Sequence, residues 1–403
     1  MSVLNGKKIL LGVSGGIAAY KTASLVRLFI KAGAHVQVIM TPASKDFVTP
    51  LTLATLSKNP VFSSFYNDSD QEAEWNNHVE LGLWADLMLI APATANTLSK
   101  MASGNCDNLV IATYLSAKCS VYVAPAMDLD MYKHPSTIYS LKELNSFGNH
   151  IIPAESGELA SGLSGEGRMA EPENIVSFIE ADLESKLPLK GKKILITAGP
   201  TYEAIDPVRF IGNHSSGKMG FDIAHSAANL GAEVVLVSGP THFKTNHSAI
   251  KLISVVSAQE MYDACHTYFS QMDVAIAAAA VADYRPKIVA TQKIKKAAST
   301  FTIELEKTKD ILLSLGEIKE KQFLIGFALE TENEIENAKL KIQKKNLDLI
   351  VLNSLQDEGA GFKKATNKVT FIDKDFNIEP MELKSKEAVA DDILNKIKAY
   401  FYE

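Results

Sequence analysis

The chain has 403 residues, 46% of them hydrophobic and 22% charged, which is enough apolar material for a large core and enough length for two or three domains. Its formal charge of −6 lacks the basic excess that a phosphate backbone requires, so nucleic acid is excluded as the main partner. Three cysteines, Cys106, Cys119 and Cys265, stand far apart without a CxxC pair, which excludes a disulfide framework and a cysteine zinc site.

The amino-terminal stretch "MSVLNGKKILLGVSGG" has two lysines and only a short apolar run before its glycines, unlike a signal peptide or a membrane span. No later stretch reaches about 18 uninterrupted apolar residues. The expectation is a soluble, cytoplasmic protein without membrane contact.

Reading forward, "KKILLGV", "AHVQVIMT", "ADLMLIAP" and "SVYVAPAM" are short buried strands, and "AAYKTASLVRLFIKAG" between the first two is an amphipathic helix. Near-continuous apolar strands separated by helices mark a parallel sheet covered on both faces. A helix-like "SFIEADLESKL" ends at "PLKGKK", where Pro188 and Gly191 punctuate the chain. This predicts one domain over residues 1–190 and a second over 191–403.

The second half opens on another "GKKIL" and continues through "KKILITAG", "KMGFDIAHSAANLGA", "EVVLVSG", "DVAIAAAAVADY", "QFLIGFALE" and "LDLIVLNS". The fold class is therefore α/β, with two doubly wound parallel-sheet domains of Rossmann-like or flavodoxin-like type. In the second domain roughly 18 residues, Gly199 to Ser216, separate the first strand from its helix, and a connection that long in a compact domain is usually functional.

Several strings carry chemistry. "GVSGGIAAYK" sets Ser14, Gly15 and Gly16 between a strand and a helix, where backbone N–H groups and the helix dipole favour a phosphate. The pattern is not GxGxxG, so a mononucleotide fits better than a dinucleotide; a plain tight turn is the alternative. "APATANTLSKMASGNCDN" places small and hydroxyl residues where such a sheet keeps its ligand crevice. His78 in "NNHVELGLWAD" precedes a helix-like run; a lone histidine there is more often a surface or capping residue, and its weight comes from what surrounds it.

"GNHSSGKMG" has the GxxxxGK spacing through Gly212, Gly217 and Lys218, but Met219 stands where a P-loop needs Ser or Thr for magnesium. It reads as an anion-binding loop at a helix start. "QKIKK" supplies Lys293, Lys295 and Lys296, and "KLKIQKKNLD" supplies Lys341, Lys344 and Lys345. These are either solvated faces or, with Asp283, partners of a triphosphate and its metal.

Together these strings resemble the bifunctional phosphopantothenoylcysteine decarboxylase/phosphopantothenate–cysteine ligase family of coenzyme A biosynthesis. The resemblance rests on "SGGIAAYK", "HVELGLWADLMLIAPATANT", "PAMDLDMY" and "GEGRM", then on "ITAGPTYEAIDPVRFIGNHSSGKMG", "VADYRP", "KIKK", "GFALET" and "KNLDLIVLN". It implies an amino-terminal FMN domain that removes CO2 from the cysteinyl carboxylate of phosphopantothenoylcysteine. Oxidation of CH2–SH to a thioaldehyde creates the electron sink, and the flavin later returns the electrons. His78 matches the catalytic histidine. Ser14, Gly15, Gly16, Thr41, Thr94, Ala95, Asn96 and Thr97 match flavin-contacting positions.

Two residues depart from the family pattern. Asp128 replaces the asparagine that orients the substrate carboxylate, and two carboxylates in contact repel unless one is protonated or a cation intervenes. Ser161 replaces the cysteine that protonates the enethiolate, and a hydroxyl is a far weaker acid than a thiol.

The resemblance also implies a carboxy-terminal ligase that activates 4′-phosphopantothenate with CTP as an acyl-cytidylate, which the L-cysteine amine then attacks. Asn213 matches the residue associated with that intermediate, and Lys293 opens a KxKK flap over the phosphates. Ala277, Ala278, Ala279, Asp283, Lys309, Asp310, Ile311, Phe327, Lys341 and Lys345 match CTP-contacting positions, with Mg2+ expected beside the triphosphate. A homo-oligomer follows, with trimeric flavin domains and dimeric ligase domains. The rival readings are an active ligase with an impaired or re-targeted flavin domain, because of Asp128 and Ser161, and a regulatory binding protein. The ligase strings and His78 argue against the second.

Overall fold

The structure is a computed structural model that describes residues 2–66, 75–159, 161–295, 301–330, 332–354 and 366–402. The chain divides into two compact units, Met1–Ser185 and Lys186–Glu403. No helix among the described residues is long and apolar enough to cross a membrane.

In the first unit β1 (Lys8–Val13), β2 (His35–Met40), β3 (Val61–Phe62), β4 (Leu87–Ala93), β5 (Ser120–Pro125) and β6 (His150–Ile151) form one sheet in the order β3-β2-β1-β4-β5-β6. Every pairing in it is parallel. Side chains alternate across a strand, so Ile9, Leu11 and Val13 enter one core while Leu10 enters the other. The helices are α1 (Thr22–Lys31), α2 (Pro50–Ser57), α3 (His78–Trp84), α4 (Ala95–Ser103), α5 (Leu109–Ser116), α6 (Leu129–Lys133), α7 (Pro135–Ser146) and α8 (Pro172–Ser185). Leu25, Val26 and Phe29 give α1 its buried stripe. The glycine turn does not enter α1 directly, because a short 3-10 helix, Ile17–Lys21, intervenes. A hairpin of β7 (Glu155–Glu158) and β8 (Ser164–Arg168) stands apart from the sheet.

The second unit has β9 (Lys193–Ala198), the hairpin β10 (Tyr202–Ala204) and β11 (Phe210–Gly212), then β12 (Glu233–Ser238), β13 (Ile250–Ser254) and β14 (Val274–Ala277). There follow β15 (Tyr284–Pro286), β16 (Leu305–Lys307), β17 (Phe323–Glu330), β18 (Leu349–Ser354), β19 (Thr366–Asn367), β20 (Val369–Asp373), β21 (Ile378–Pro380) and β22 (Lys384–Ser385). Its helices are α9 (Lys218–Asn229), α10 (Ala258–Phe269), α11 (Ile311–Glu317), α12 (Glu334–Lys344) and α13 (Lys386–Tyr402). The main sheet runs β13-β12-β9-β14-β17-β18-β20-β21.

Three features differ from the pattern read in the sequence. Strands β20 and β21 pair antiparallel, so this sheet is mixed at one edge. The long connection after β9 contains the β10–β11 hairpin, in which Tyr202 stacks on Phe210 with ring centroids 3.9 Å apart. Finally, "DVAIAAAAVADY" is not one strand. Beyond Ala277 the backbone leaves β17 and bonds the loop after β9, with Ala280 N donating to Gly199 O at 2.9 Å.

Candidate active sites

In the first unit strand order reverses between β1 and β4, and ligands of open α/β sheets bind beyond the carboxyl ends of strands at such a point. A cavity of about 960 Å3 lies there, lined among others by Gly15, Gly16, Thr41, Asp128, Ser161 and Thr94 to Thr97. A Cβ on Gly15 would meet the Ala43 backbone at 3.0 Å, so only glycine lets the turn lie this close to the next loop. Thr94 is the N-cap of α4, and the first turn of that helix opens on the cavity. The Thr41 hydroxyl is buried and has no hydrogen-bond partner among the described residues. An orphaned buried hydroxyl facing a cavity is a position a ligand can satisfy.

Ser14 is placed differently from its neighbours. Its hydroxyl donates to Pro92 O at 2.7 Å and accepts the Thr94 amide at 3.1 Å, and the residue does not line the cavity. It fastens the end of β1 to the end of β4.

Asp128 caps α6, its Oδ1 accepting Leu129 N at 2.6 Å. Ser161 is exposed near the tip of the β7–β8 hairpin. Gly167, at φ +143°, lets that hairpin pass Met127, since a Cβ there would sit 2.6 Å from the Met127 carbonyl oxygen. The cavity is also lined by three cations that sequence reasoning did not single out, Lys21, Lys100 and Arg168. Lys21 is buried, donates to Met169 O at 3.0 Å and pairs with Glu171 at 2.9 Å; Arg168 pairs with the same carboxylate. Both fall inside strings quoted above, "SGGIAAYK" and "GEGRM", but neither has a local pattern that predicts burial. At the rim Lys100 lies 2.5 Å from Asp107 and holds that carboxyl below its usual range.

His78 is not brought to this cavity. It begins α3, where Asn77 is the N-cap, and its ring stands edge-on to Phe65 and Trp75 with centroids 6.2 Å away in each case. Its Nδ1 is buried without a hydrogen-bond partner among the described residues. Around it Trp75, Val79 and Leu83 are all exposed.

In the second unit the switch point lies between β9 and β14, and a cavity of about 170 Å3 is lined there by residues 215–220, 278–280 and 327–329 with Asn353, Asn367 and Lys386. Of the expected nucleotide residues, Ala278, Ala279 and Phe327 meet in it. Ala277 ends β14 just outside, and Ala279 N donates to Thr197 Oγ1 at 3.1 Å. Lys218 lines the cavity with its ammonium 2.7 Å from Asp222 Oδ2. Burial opposes its charge, but Asp222 and Glu387 outweigh that and raise its pKa.

The remaining expected residues do not line this cavity. Asn213 Nδ2 donates to the carbonyls of Ala280 and Val281 at 3.1 and 3.0 Å. Asp283 is exposed, and its carbonyl accepts Thr308 N. Lys309 lies 4.4 Å above the Tyr262 ring. Asp310 caps α11 and pairs with Lys345 at 2.8 Å; burial pushes its carboxyl up, but Lys345 prevails and holds it low. Ile311 is buried in the core, and Lys341 pairs with Glu330. Lys293 and Lys295 are exposed on either side of Ile294, while Lys296 falls outside the described residues. Ile294 N donates to Asp206 Oδ2 at 3.1 Å and Ile294 O accepts Arg209 Nη2 at 2.9 Å. Among the described residues no group of three or more His, Cys, Asp or Glu is placed to hold a metal ion.

Residues 2–184 match the Flavoprotein family model, and residues 189–401 match that of the DNA/pantothenate metabolism flavoprotein C-terminal domain. A Vibrio parahaemolyticus protein named coenzyme A biosynthesis bifunctional protein CoaBC is 46% identical over 401 residues, 99% of this chain and 99% of its own length. Its Bacillus subtilis namesake is 43% identical over 399 residues, 98% of each chain. The chain belongs to this bifunctional coenzyme A biosynthesis family. Another relative, from an unknown prokaryotic organism and named cysteine/cysteine sulfinic acid decarboxylase, is 55% identical over 355 residues, 87% of this chain and 98% of its own.

As a bifunctional coenzyme A biosynthesis enzyme the chain joins a flavoprotein decarboxylase part to a ligase part. Lys386, Asn353 and Asn367 of the ligase cavity were missed in the sequence. Asn353 lies within the quoted "KNLDLIVLN", but Asn367 and Lys386 lie in a carboxy-terminal stretch without glycine-rich or basic signals.

Proposed function

We propose that the enzyme makes 4′-phosphopantetheine in two consecutive steps. Residues 191–403 join 4′-phosphopantothenate to L-cysteine with CTP, and residues 1–190 then remove CO2 with FMN, in the cytoplasm. The observation that carries this reading is a cavity at the switch point of each sheet, lined in part by the strings that resemble the family's sites.

The first cavity fits a flavin mononucleotide. Gly15, Gly16, Thr41 and Thr94 to Thr97 would hold it, with the orphaned Thr41 hydroxyl and the open first turn of α4 as donors and Ser14 bracing the turn. Bound there, the flavin supplies a reversible two-electron acceptor beside the substrate thiol. Asp128 faces an anionic substrate, and Arg168 and Lys21 supply the counter-charge that two neighbouring carboxylates require. Ser161, on the hairpin, stands as proton donor in the final reduction.

His78, which does not line the cavity of its own copy and is set among exposed apolar residues, is the acid/base of a neighbouring copy's site. That is the arrangement expected of trimeric flavin domains, with the ligase domains pairing as dimers.

In the ligase cavity Ala278, Ala279 and Phe327 take the nucleotide close to the strand ends. Asn213 exchanges one of its two carbonyl contacts for the oxygen of the acyl-cytidylate. Lys341 and Lys345 leave Glu330 and Asp310 to meet CTP, and Lys293 closes from the flap. The described carboxylates form no metal cage, and Mg2+ would enter with the nucleotide, where it would neutralise part of the phosphate charge.

One incubation tests the reading. The full chain with FMN is supplied with phosphopantothenate, cysteine, CTP and magnesium, and pyrophosphate and CO2 are followed separately; a parallel arm has cysteine alone. Pyrophosphate and CO2 together in the complete mixture are expected. Pyrophosphate without CO2 would leave only the ligase, and CO2 from cysteine alone at an equal rate would mean that the flavin part acts on the free amino acid. Neither product would return the chain to a binding protein.

A further inference from the structure

The ligase cavity is framed by the first turn of α9 and by residues from the carboxy-terminal stretch. Gly217 precedes α9 in the left-handed region, at φ +87°, and no side chain caps the helix. The nearest hydroxyls, Ser215 and Ser216, accept the Gly217 and Lys218 amides only at 3.3 and 3.4 Å. The amides of the first turn thus open on the cavity with little competition.

Lys386 comes to the same cavity through β19 and β22, whose pairing sets Asn367 opposite Lys384. It is the first residue of α13 and only 7% exposed. Among the described residues no hydrogen-bond or ion-pair partner stands against its ammonium. Asp222 and Lys218 are the charges that act on it, and Asp222 is already engaged by Lys218 through both carboxylate oxygens, at 2.9 and 2.7 Å. A second buried atom nearby is also unsatisfied. Asn367 Oδ1 has no partner among the described residues, while Asn367 Nδ2 donates to Asn353 Oδ1 at 3.1 Å.

Three local preferences are broken at Lys386. A cation sits at the positive end of a 17-residue helix, an ammonium is buried without an acceptor, and a second ammonium, Lys218, lies close by. Burial, with Lys218 behind it, pushes the amine down, and Asp222 opposes that only in part. Violations of this kind, concentrated at one residue, are characteristic of binding sites. An anion in the cavity would relieve all three. At about 170 Å3 the cavity is smaller than the roughly 300–1,000 Å3 that takes a whole ligand, so one end of a nucleotide enters it.

We propose that Lys386 is a binding residue for the phosphate chain of the nucleotide, supplying from the carboxy-terminal helix the charge that Lys218 of the GxxxxGK-like string spends on Asp222. This rests on the nucleotide reading of the same cavity.

The test uses the full chain and calorimetric titration with CTP, cytidine and inorganic pyrophosphate, comparing wild type with Lys386→Met. The variant is expected to bind CTP and pyrophosphate at least tenfold more weakly and cytidine unchanged. Without ligand it should melt no lower than wild type, since a buried unpaired charge has been removed. Equal CTP affinity in the two proteins, equal losses for CTP and cytidine, or a variant melting several degrees lower would each overturn the proposal. A wild type that binds pyrophosphate but not CTP, with that binding lost in Lys386→Met, would retire the nucleotide reading and leave the anion site standing. A wild type that binds none of the three overturns both.

Discussion

Asp206 accepts the backbone amide of Ile294 at 3.1 Å, and this contact fastens the lysine-bearing flap to the turn between β10 and β11. The Asp206 carboxylate is only 2% exposed and also accepts the Val208 and Arg209 amides, while Arg209 grips both Asp206 and the Ile294 carbonyl. Lys293 and Lys295 therefore flank a fixed point.

Asp206→Asn keeps the shape but weakens the hold of Arg209 and of the flap. Misplacing a catalytic element by about 1 Å costs up to roughly a hundredfold in rate, so pyrophosphate release should fall by about ten- to a hundredfold. CO2 release from supplied phosphopantothenoylcysteine should not change, and a parallel fall would refute a role confined to the flap. Arg209 also holds the Asp206 carboxyl well below the ordinary range. A depressed pKa contributes stability above the unfolded value of about 3.9 and loses it as pH falls through the folded value. Titration of Asp206 should thus leave melting unaltered from about pH 8 to pH 5, with its loss confined to strong acid.

Ser14 is 1% exposed and ties the end of β1 to the end of β4 and to Thr94 just after it. Ser14→Ala removes both hydrogen bonds and should cost about 1–2 kcal/mol in denaturant unfolding of the flavin-free protein. Flavin content on purification should fall as well, because the glycine turn loses its brace. Unchanged stability with lost flavin would instead make Ser14 a direct ligand.

Ser161 lines the first cavity from the hairpin tip, at the position where the sequence resemblance implies a thiol. Ser161→Ala should still permit release of CO2 but should slow formation of phosphopantetheine, since the proton is needed only at reduction. Ser161→Cys should speed that step, a thiol being the stronger acid. Equal phosphopantetheine formation by wild type and Ser161→Ala would show that another group donates.

The cysteines should separate by burial in a thiol-titration time course. Cys106 is exposed and should react at once at pH 8, and Cys119, half-buried with its pKa raised by burial, more slowly. Burial pushes Cys265 up to about 12, so it should react only on unfolding. Because an unfolded thiol ionises near 8.5, the contribution of Cys265 to stability is intact below about pH 8.5 and falls as pH rises toward the folded value. Rapid modification of all three in the native protein would contradict this ordering.

Local pattern was enough to read the strands of both sheets, because a strand buried on both faces must be continuously apolar whatever packs on it. "KKILLGV" and "KKILITAG" are such strands, and the turn after the first had to be glycine because a Cβ on Gly15 would strike Ala43. Position relative to the cavities was not readable. His78 does not line the first cavity, Ser14 serves the scaffold, and Asp206 reaches Ile294 between the two lysines only because the connection after β9 folds back as a hairpin. Lys386 and Asn367 show the limit most plainly. Nothing near them in the chain predicts a buried unpaired ammonium or an orphaned carbonyl, since those states depend on α9 and β18 arriving from elsewhere in the unit. The sequence by itself determined two sheets, their glycine and alanine linings and the family; tertiary packing decided which charges are spent on each other and which are left facing the cavities.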